Sequence, residues 1–177
     1  MADFINTVDV LGDDVVTGSI INRTVTEYLD NYVTKIGMYA FCQCVNLSKV
    51  DCPNVSEISD YAFSSCTSLT SVSFPAATAI GNSAFYNCYS LTSVSFPAAT
   101  SIGYYAFARC TSLTTVILAG SSVCSMSYST VFTSTPIASG TGYVYVPSSL
   151  VASYQAATNW SYFSSQISAI EDSEFGG

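Results

Sequence analysis

The sequence predicts an α/β solenoid of short parallel strands with irregular or 3₁₀ return segments, closed by a C-terminal capping helix. Three observations carry this expectation. Phe41, Phe63, Phe85 and Phe107 recur every 22 residues in step with Leu47, Leu69, Leu91 and Leu113. Proline ends the same short apolar run in three copies, at Pro53, Pro75 and Pro97. The chain is 49% hydrophobic but only 9% charged, so apolar side chains must stack between successive units and leave hydroxyl, amide and phenol groups outside. Its 177 residues suffice for one domain.

The four clearest copies begin at Val25, Leu47, Leu69 and Leu91. In the copy from Leu69, Val72 and Phe74 alternate inward as a strand requires, so Ser71 and Ser73 face out from a sheet with one strand per coil. Pro75 lacks the donor that a continuing ladder needs and turns the chain. The return path runs through Ala77, Ile80, Ala84, Phe85 and Cys88. Gly37, Gly81 and Gly103 share one slot, with Ser59 in the remaining copy, which predicts a tight bend with little room for a side chain. The Ala-Phe pair that follows is too short for a long helix and predicts a single helical or 3₁₀ turn.

Beyond Leu113 the pattern loosens. Val116 and Leu118 keep the strand pattern, Ala119 replaces the proline, and Cys124 is expected in the slot of Ile102. Val144 and Val146 then restore the Val72 and Phe74 slots, followed by Pro147. Leu150, Val151, Tyr154, Ala157 and Trp160 form an apolar stripe at helical spacing, extended by Ile167 and Ile170. A helix here would cover the open end of the solenoid. The expected organisation is an N-terminal cap or attachment segment over 1–24, the solenoid over 25–147, the helical cap over 148–170 and an acidic flexible tail over 171–177.

The charge pattern and the absence of histidine exclude several function classes. Four basic residues and a net charge of −8 argue against nucleic acid, which needs convergent Lys and Arg. From Tyr61 through Ile170 the one charged residue is Arg109. There is no His, which removes the commonest general base and every Ser-His or Cys-His nucleophile pair. Asp51, Glu57 and Asp60 are read as solvent-facing residues. No phosphate-binding glycine loop occurs, because the glycines follow the repeat. No enzyme activity and no cofactor are expected. No run of 18 apolar residues predicts membrane insertion, and the opening MADFINTVDVLGDD does not read as a secretion signal.

Seven cysteines admit three readings: disulfides, a metal site or packed core. Cys44, Cys66, Cys88 and Cys110 share the period and are expected as an internal ladder of structural thiols, because free Cys packs as a small hydrophobe. Parallel side-chain directions are poor for bridging adjacent coils. Cys52 falls in the inward slot of Phe74, and Cys42 is the cysteine expected nearest solvent. Without His, and with one residue between Cys42 and Cys44, no metal is expected.

Binding is expected at the exterior slots. The strand face reads Lys49 and Asp51, Ser71 and Ser73, Ser93 and Ser95, Thr115 and Ile117, then Tyr143 and Tyr145. Its aromatic end suits stacking on sugar rings or a protein hot spot. A second cluster, from the bends, comprises Tyr39, Tyr61, Tyr86, Tyr89, Tyr104 and Tyr105 with Arg109 nearby. These tyrosines either bind a ligand or cover coil junctions. The candidate ligand-binding residues are Tyr143, Tyr145, Ile117, Ser95, Ser73, Tyr104, Tyr105, Tyr86 and Arg109. Four Asn-x-Ser/Thr matches, at Asn22, Asn46, Asn54 and Asn159, are read as turn residues.

With its combined Ile-Gly, Ala-Phe and Cys-x-x-Leu motifs, the repeat resembles the BspA-like leucine-rich repeat family over most of residues 25–170. The resemblance implies a right-handed leucine-rich-repeat solenoid in an extracellular or cell-surface protein. It further implies adhesion through contacts with a protein or polysaccharide surface. The alternative is a structural or assembly module of a larger surface protein or phage particle, which a virion-associated or excised-domain origin would fit. Oligomeric state is left open.

Overall fold

A computed structural model of the chain describes residues 24–170 and the strand pair at Val10–Leu11 and Val15–Val16. The acidic tail expected over 171–177, and most of the segment 1–24, lie outside the described residues. In chain order the strands are β1 (Val10–Leu11), β2 (Val15–Val16), β3 (Glu27–Leu29), β4 (Lys35–Ile36), β5 (Lys49–Asp51) and β6 (Glu57–Ile58). They continue as β7 (Ser71–Ser73), β8 (Ala79–Ile80), β9 (Ser93–Ser95), β10 (Ser101–Ile102), β11 (Thr115–Ile117) and β12 (Ser125–Met126). Helix α1 (Pro136–Ser139), β13 (Tyr143–Val146), α2 (Val151–Ala156) and β14 (Ile167–Ala169) complete the chain.

Each regular coil thus carries two strands, not the one expected. The first side of the solenoid holds β3-β5-β7 and β9-β11-β13-β14, all parallel, with β9 lying against β7 across a break in the ladder. A second sheet runs β1-β2-β4-β6-β8-β10-β12, parallel except for the β1–β2 pair. Its strands after the proline are two residues long, so no inward-outward alternation betrays them in the sequence.

The third side is a run of turns, an irregular return segment with bonds three residues back but no regular helix. Ala40, Cys42 and Cys44 donate their N–H groups three residues back, to Gly37, Tyr39 and Phe41. The intervening Tyr39, Phe41 and Gln43 donate to Asp60, Ala62 and Ser64 of the next coil. Every N–H from Tyr39 to Cys44 is therefore used, half within the coil and half between coils. This geometry places two slots per coil at positive φ: Tyr39 (58°) and Gln43 (62°), then Tyr61 and Ser65, Ser83 and Asn87, Tyr105 and Arg109. None of them is glycine.

The apolar ladders meet between the three sides. Phe41, Phe63, Phe85 and Phe107 are fully buried and stack with ring centroids 5.0, 5.2 and 5.4 Å apart. Tyr28 begins the stack 4.9 Å from Phe41, and Phe132 extends it 6.0 Å beyond Phe107. Leu47, Leu69, Leu91 and Leu113 form a second buried row. Cys44, Cys66, Cys88 and Cys110 form a third, none of them in a disulfide. The cysteines also act as donors: Cys66, Cys88 and Cys110 Sγ lie 3.0, 3.2 and 3.0 Å from the carbonyls of Phe41, Phe63 and Phe85.

Hydroxyls tie the coils together along two edges. Ser48 donates to Thr26 O, Thr70 to Ser48 O and Thr114 to Thr92 O. On the other edge Ser56 donates to Thr34 O, Thr78 to Ser56 O, Thr100 to Thr78 O and Ser125 to Thr100 O. Ser and Thr at these positions, which read as neutral surface, therefore supply coil-to-coil bonds.

The last coils are longer than the rest. Ile102 pairs with Met126, Phe107 stacks on Phe132 and Val116 pairs with Val144. Met126, not Cys124, therefore holds the Ile102 slot, because the insertion after Leu118 shifts the register. Cys124 is buried beside the cap instead: its N–H donates to Tyr154 Oη at 2.8 Å, and its carbonyl accepts from Trp160 Nε1 at 2.7 Å. The cap is helical but interrupted. Helix α2 ends at Ala156, Asn159 adopts φ 66°, and a 3₁₀ segment spans Trp160–Gln166 before β14 joins β13. The break turns Asn159 Nδ2 onto Met126 O (2.8 Å) and Ser127 O (3.1 Å), which closes the end of the second sheet. Trp160 and Phe163 pack on Phe132 and end the aromatic stack.

Candidate recognition surfaces

Three surfaces offer chemistry to a partner. On the first sheet, strand register sets outward side chains side by side: Lys49 by Ser71, Asp51 by Ser73, Thr115 by Ser93 and Tyr143, and Ile117 by Ser95 and Tyr145. Ser73 and Ser95 are exposed, Ile117 and Tyr145 half-buried, and Tyr143 keeps 42% of its surface open. The Tyr143 and Tyr145 rings lie 6.3 Å apart, so the face passes from charged through hydroxylic to a paired aromatic end.

The bend tyrosines lie on another side of each coil and divide into two groups. Tyr39 and Tyr61 stack at 5.0 Å, and Tyr104 meets Tyr105 edge-on at 5.4 Å. Tyr104 joins the two pairs: a hydrogen bond to Tyr61 lifts its phenol above the ordinary value, with nearby Asp60 adding to the shift. One coil slot away, Arg109 Nη1 reaches Tyr86 Oη at 3.5 Å, with Tyr89 close enough to act on the guanidinium. The contacts seen pair Tyr86 with Arg109, Tyr104 with Tyr105, and Tyr143 with Tyr145.

The third surface has no counterpart in the sequence reading. A groove of about 800 Å³ runs along the second sheet from Lys35 to Ser127, bounded on one side by Asp60 and Asn82. Its floor includes Gly37, Gly81 and Gly103. Gly81 and Gly103 are not held by φ. A Cβ on Gly81 would lie 2.5 Å from Ser59 C, and one on Gly103 would lie 2.6 Å from Asn82 N. The slot has little room for a side chain, as expected, but the crowding comes from the approach of successive coils; glycine fills it at Gly37, Gly81 and Gly103, and the small Ser59 in the remaining coil.

The close approach lets Asp60 accept from Asn82 N (2.7 Å) and Nδ2 (3.0 Å), while Asn82 Oδ1 accepts from Tyr104 N (3.0 Å). Lys35 and Glu57, partners across β4 and β6, form a 2.7 Å ion pair at the near end. The sequence signal for this surface was a slot of small residues, Gly37, Ser59, Gly81 and Gly103, one residue before Met38, Asp60, Asn82 and Tyr104.

Buried thiols and phenols supply no reactive group. Burial raises Cys52 and Cys124 from 9.0 to about 12, and it also raises Cys66 and Cys88. Thiols held protonated are poor nucleophiles and poor metal ligands. Among the described residues no group of three or more His, Cys, Asp or Glu is placed to hold a metal ion, and no helix is long and apolar enough to cross a membrane.

Residues 34–152 match the family model of the BspA type leucine rich repeat region, a solenoid type typical of non-catalytic proteins. Among solved structures, a leucine rich repeat protein of T. pallidum is 25% identical with a TM-score of 0.63, over 75% of this chain and 62% of that one. A leucine rich cell surface protein of Faecalibacterium prausnitzii A2-165 is 31% identical with a TM-score of 0.50, over 53% of this chain and 26% of that one. A leucine-rich repeat protein of Bacteroides ovatus shares the fold at 24% identity and a TM-score of 0.58, over 82% and 36% of the two chains. The chain spans less than two thirds of the length of each. No curated protein matches it.

Proposed function

The chain belongs to the BspA-type leucine-rich repeat family, and from that premise we propose that it is a non-catalytic recognition or adhesion module. It binds protein or glycan through its solenoid surface, at or outside the bacterial cell surface. The observation that carries this reading is the first-sheet face, where Tyr143 and Tyr145 form an aromatic pair at the end of a flat row of hydroxyls. Paired tyrosines present large contact area at low entropic cost, and the serine rows beyond Thr115 and Ile117 leave a partner unobstructed. The similar cell surface protein of F. prausnitzii supports the location.

The test is a binding screen of the purified chain against matrix proteins, polysaccharides and bacterial cell-wall material, beside a Tyr143→Ser, Tyr145→Ser double variant. Binding by the parent that the folded variant lacks is the expected result. Equal binding by both forms would remove the first-sheet face from consideration, and no binding to any class would count against a recognition role.

A further inference from the structure

We propose that Arg109, Tyr86 and Tyr89 form a site for a terminal acidic sugar, held through its single carboxylate. The proposal rests on the reading of the chain as a recognition module and adds a ligand class on the run of turns.

The three side chains depart from the repeat and gather across one coil junction. Arg109 shares its slot with Gln43, Ser65 and Asn87, Tyr86 with Cys42, Ser64 and Ala108, and Tyr89 with Val45, Thr67 and Thr111. The other coils are therefore built without an arginine or a tyrosine at these places. Arg109 Nη1 donates to Tyr86 Oη at 3.5 Å, Tyr89 stands close enough to act on the guanidinium, and both Arg109 and Tyr89 are exposed. The backbone beneath them is fixed, because Arg109 N–H donates to Thr133 O at 2.7 Å and Tyr89 N–H to Asn87 O at 3.0 Å.

What the site offers is mainly donors. A guanidinium carries five N–H groups and no acceptor. The Tyr86 oxygen accepts one of them, so its own hydrogen is left to donate. Such a set calls for an oxyanion, and the planar fork matches a carboxylate through two parallel bonds. The chain does not supply that carboxylate itself. Among the described residues no acid forms an ion pair with Arg109. The nearest acidic coil is the one from Leu47, two coils back and so about 10 Å away at the usual strand spacing. That is about one screening length at physiological salt.

The charge count narrows the ligand. From Tyr61 through Ile170 Arg109 is the one charged residue, so a single negative charge neutralises the site. A polyanion brings charges that find no partner there and meets a chain of net charge −8. The carboxyl end of a peptide is poorly served as well. The N–H groups of Asn87, Tyr89 and Arg109 are spent on carbonyls, so no nest of backbone donors is open to it. The phenol rings and hydroxyls that remain suit the CH face and hydroxyls of a sugar ring.

The test is calorimetric titration of the whole chain with the two common isomers of sialyllactose and a glucuronyl disaccharide, with lactose, sulfated lactose and N-acetyl-dialanine as contrasts. At least one acidic sugar should bind, at least about tenfold more tightly than lactose and at least about tenfold more weakly to Arg109→Gln. Glutamine already serves this slot at Gln43, and an unchanged urea midpoint checks that the variant folds. Arg109→Lys keeps the charge, loses the fork and should fall between the two. Titration of the unaltered chain should move the Arg109 Nε–H resonance, a readout that needs no substitution. Acidic-sugar binding that is undiminished in Arg109→Gln, or that leaves this resonance in place, overturns the site and leaves the recognition reading standing. Equal binding of lactose overturns the role of the carboxylate, and preference for the sulfate or the dipeptide overturns the ligand class. No binding to any of these probes overturns the inference, whereas the recognition reading falls only if the broader screen is also empty.

Discussion

Gly81 stands so close to Asp60 that a methyl group on it would lie 2.6 Å from Asp60 N and 2.7 Å from Oδ1. The same carboxylate oxygen accepts from Asn82 N, so the missing side chain and the inter-coil bond are one device. Gly81→Ala should push the two coils apart and cost about 1–3 kcal/mol. A lower urea midpoint would register the loss, whereas an unchanged midpoint would show that the coils tolerate the spacing.

The aromatic stack makes a graded prediction. Phe85 is flanked on both sides, at 5.2 and 5.4 Å, so Phe85→Ala should cost about 3–5 kcal/mol in equilibrium unfolding. Phe132→Ala acts at the junction with the cap. Trp160, the one tryptophan of the chain, packs on Phe132 and reports that junction. Its emission should move to longer wavelength in Phe132→Ala under native conditions, while in Phe85→Ala it should stay at the parent position.

Tyr154 tests how the cap is fastened. Its hydroxyl accepts the N–H of Cys124 in a buried setting. Tyr154→Phe keeps the ring but strands that donor, at a cost of about 1–3 kcal/mol. Amide exchange at Cys124 should accelerate more than exchange at Val116 in the neighbouring strand. Equal acceleration at both sites would mean the bond does not hold the cap locally.

Alkaline pH should loosen the fold. Folding raises the buried Cys52 and Cys124 thiols from 9.0 to about 12, mainly through desolvation, and raises Tyr154 from 10.0 to about 12 for the same leading reason. A raised acid holds its proton more tightly in the folded chain. Its contribution is therefore complete below the unfolded value and is lost as pH rises through the folded one. The urea midpoint should stay level up to about pH 8 and fall between about 9 and 12. A midpoint unchanged across that span would show that these groups titrate alike in the folded and unfolded chains.

The core was legible in the sequence because its residues repeat: the Phe, Leu and Cys rows each occupy one slot, and identical slots stack. The outward strand face followed from alternation around Val72 and Phe74. Other features left no such trace. Two-residue strands such as Ala79–Ile80 are too short to alternate. The positive-φ slots carry Tyr, Gln, Ser, Asn and Arg, so the turn chemistry is hidden from a search for glycine. Cys124 was misplaced because the insertion after Leu118 broke the register. The groove depends on a sheet that was itself invisible, and its glycines read as bends when their role is coil-to-coil approach.

The hydroxyl ladders all point one way: Thr78 bonds back to Ser56, Thr100 back to Thr78, and Ser125 back to Thr100. Every regular unit therefore offers its successor the same carbonyls and asks the same of its predecessor. Such a unit is interchangeable, and whole copies can be gained or lost by recombination in the coding DNA without a new junction having to be invented. The number of copies is then an inheritable setting for how far the molecule reaches.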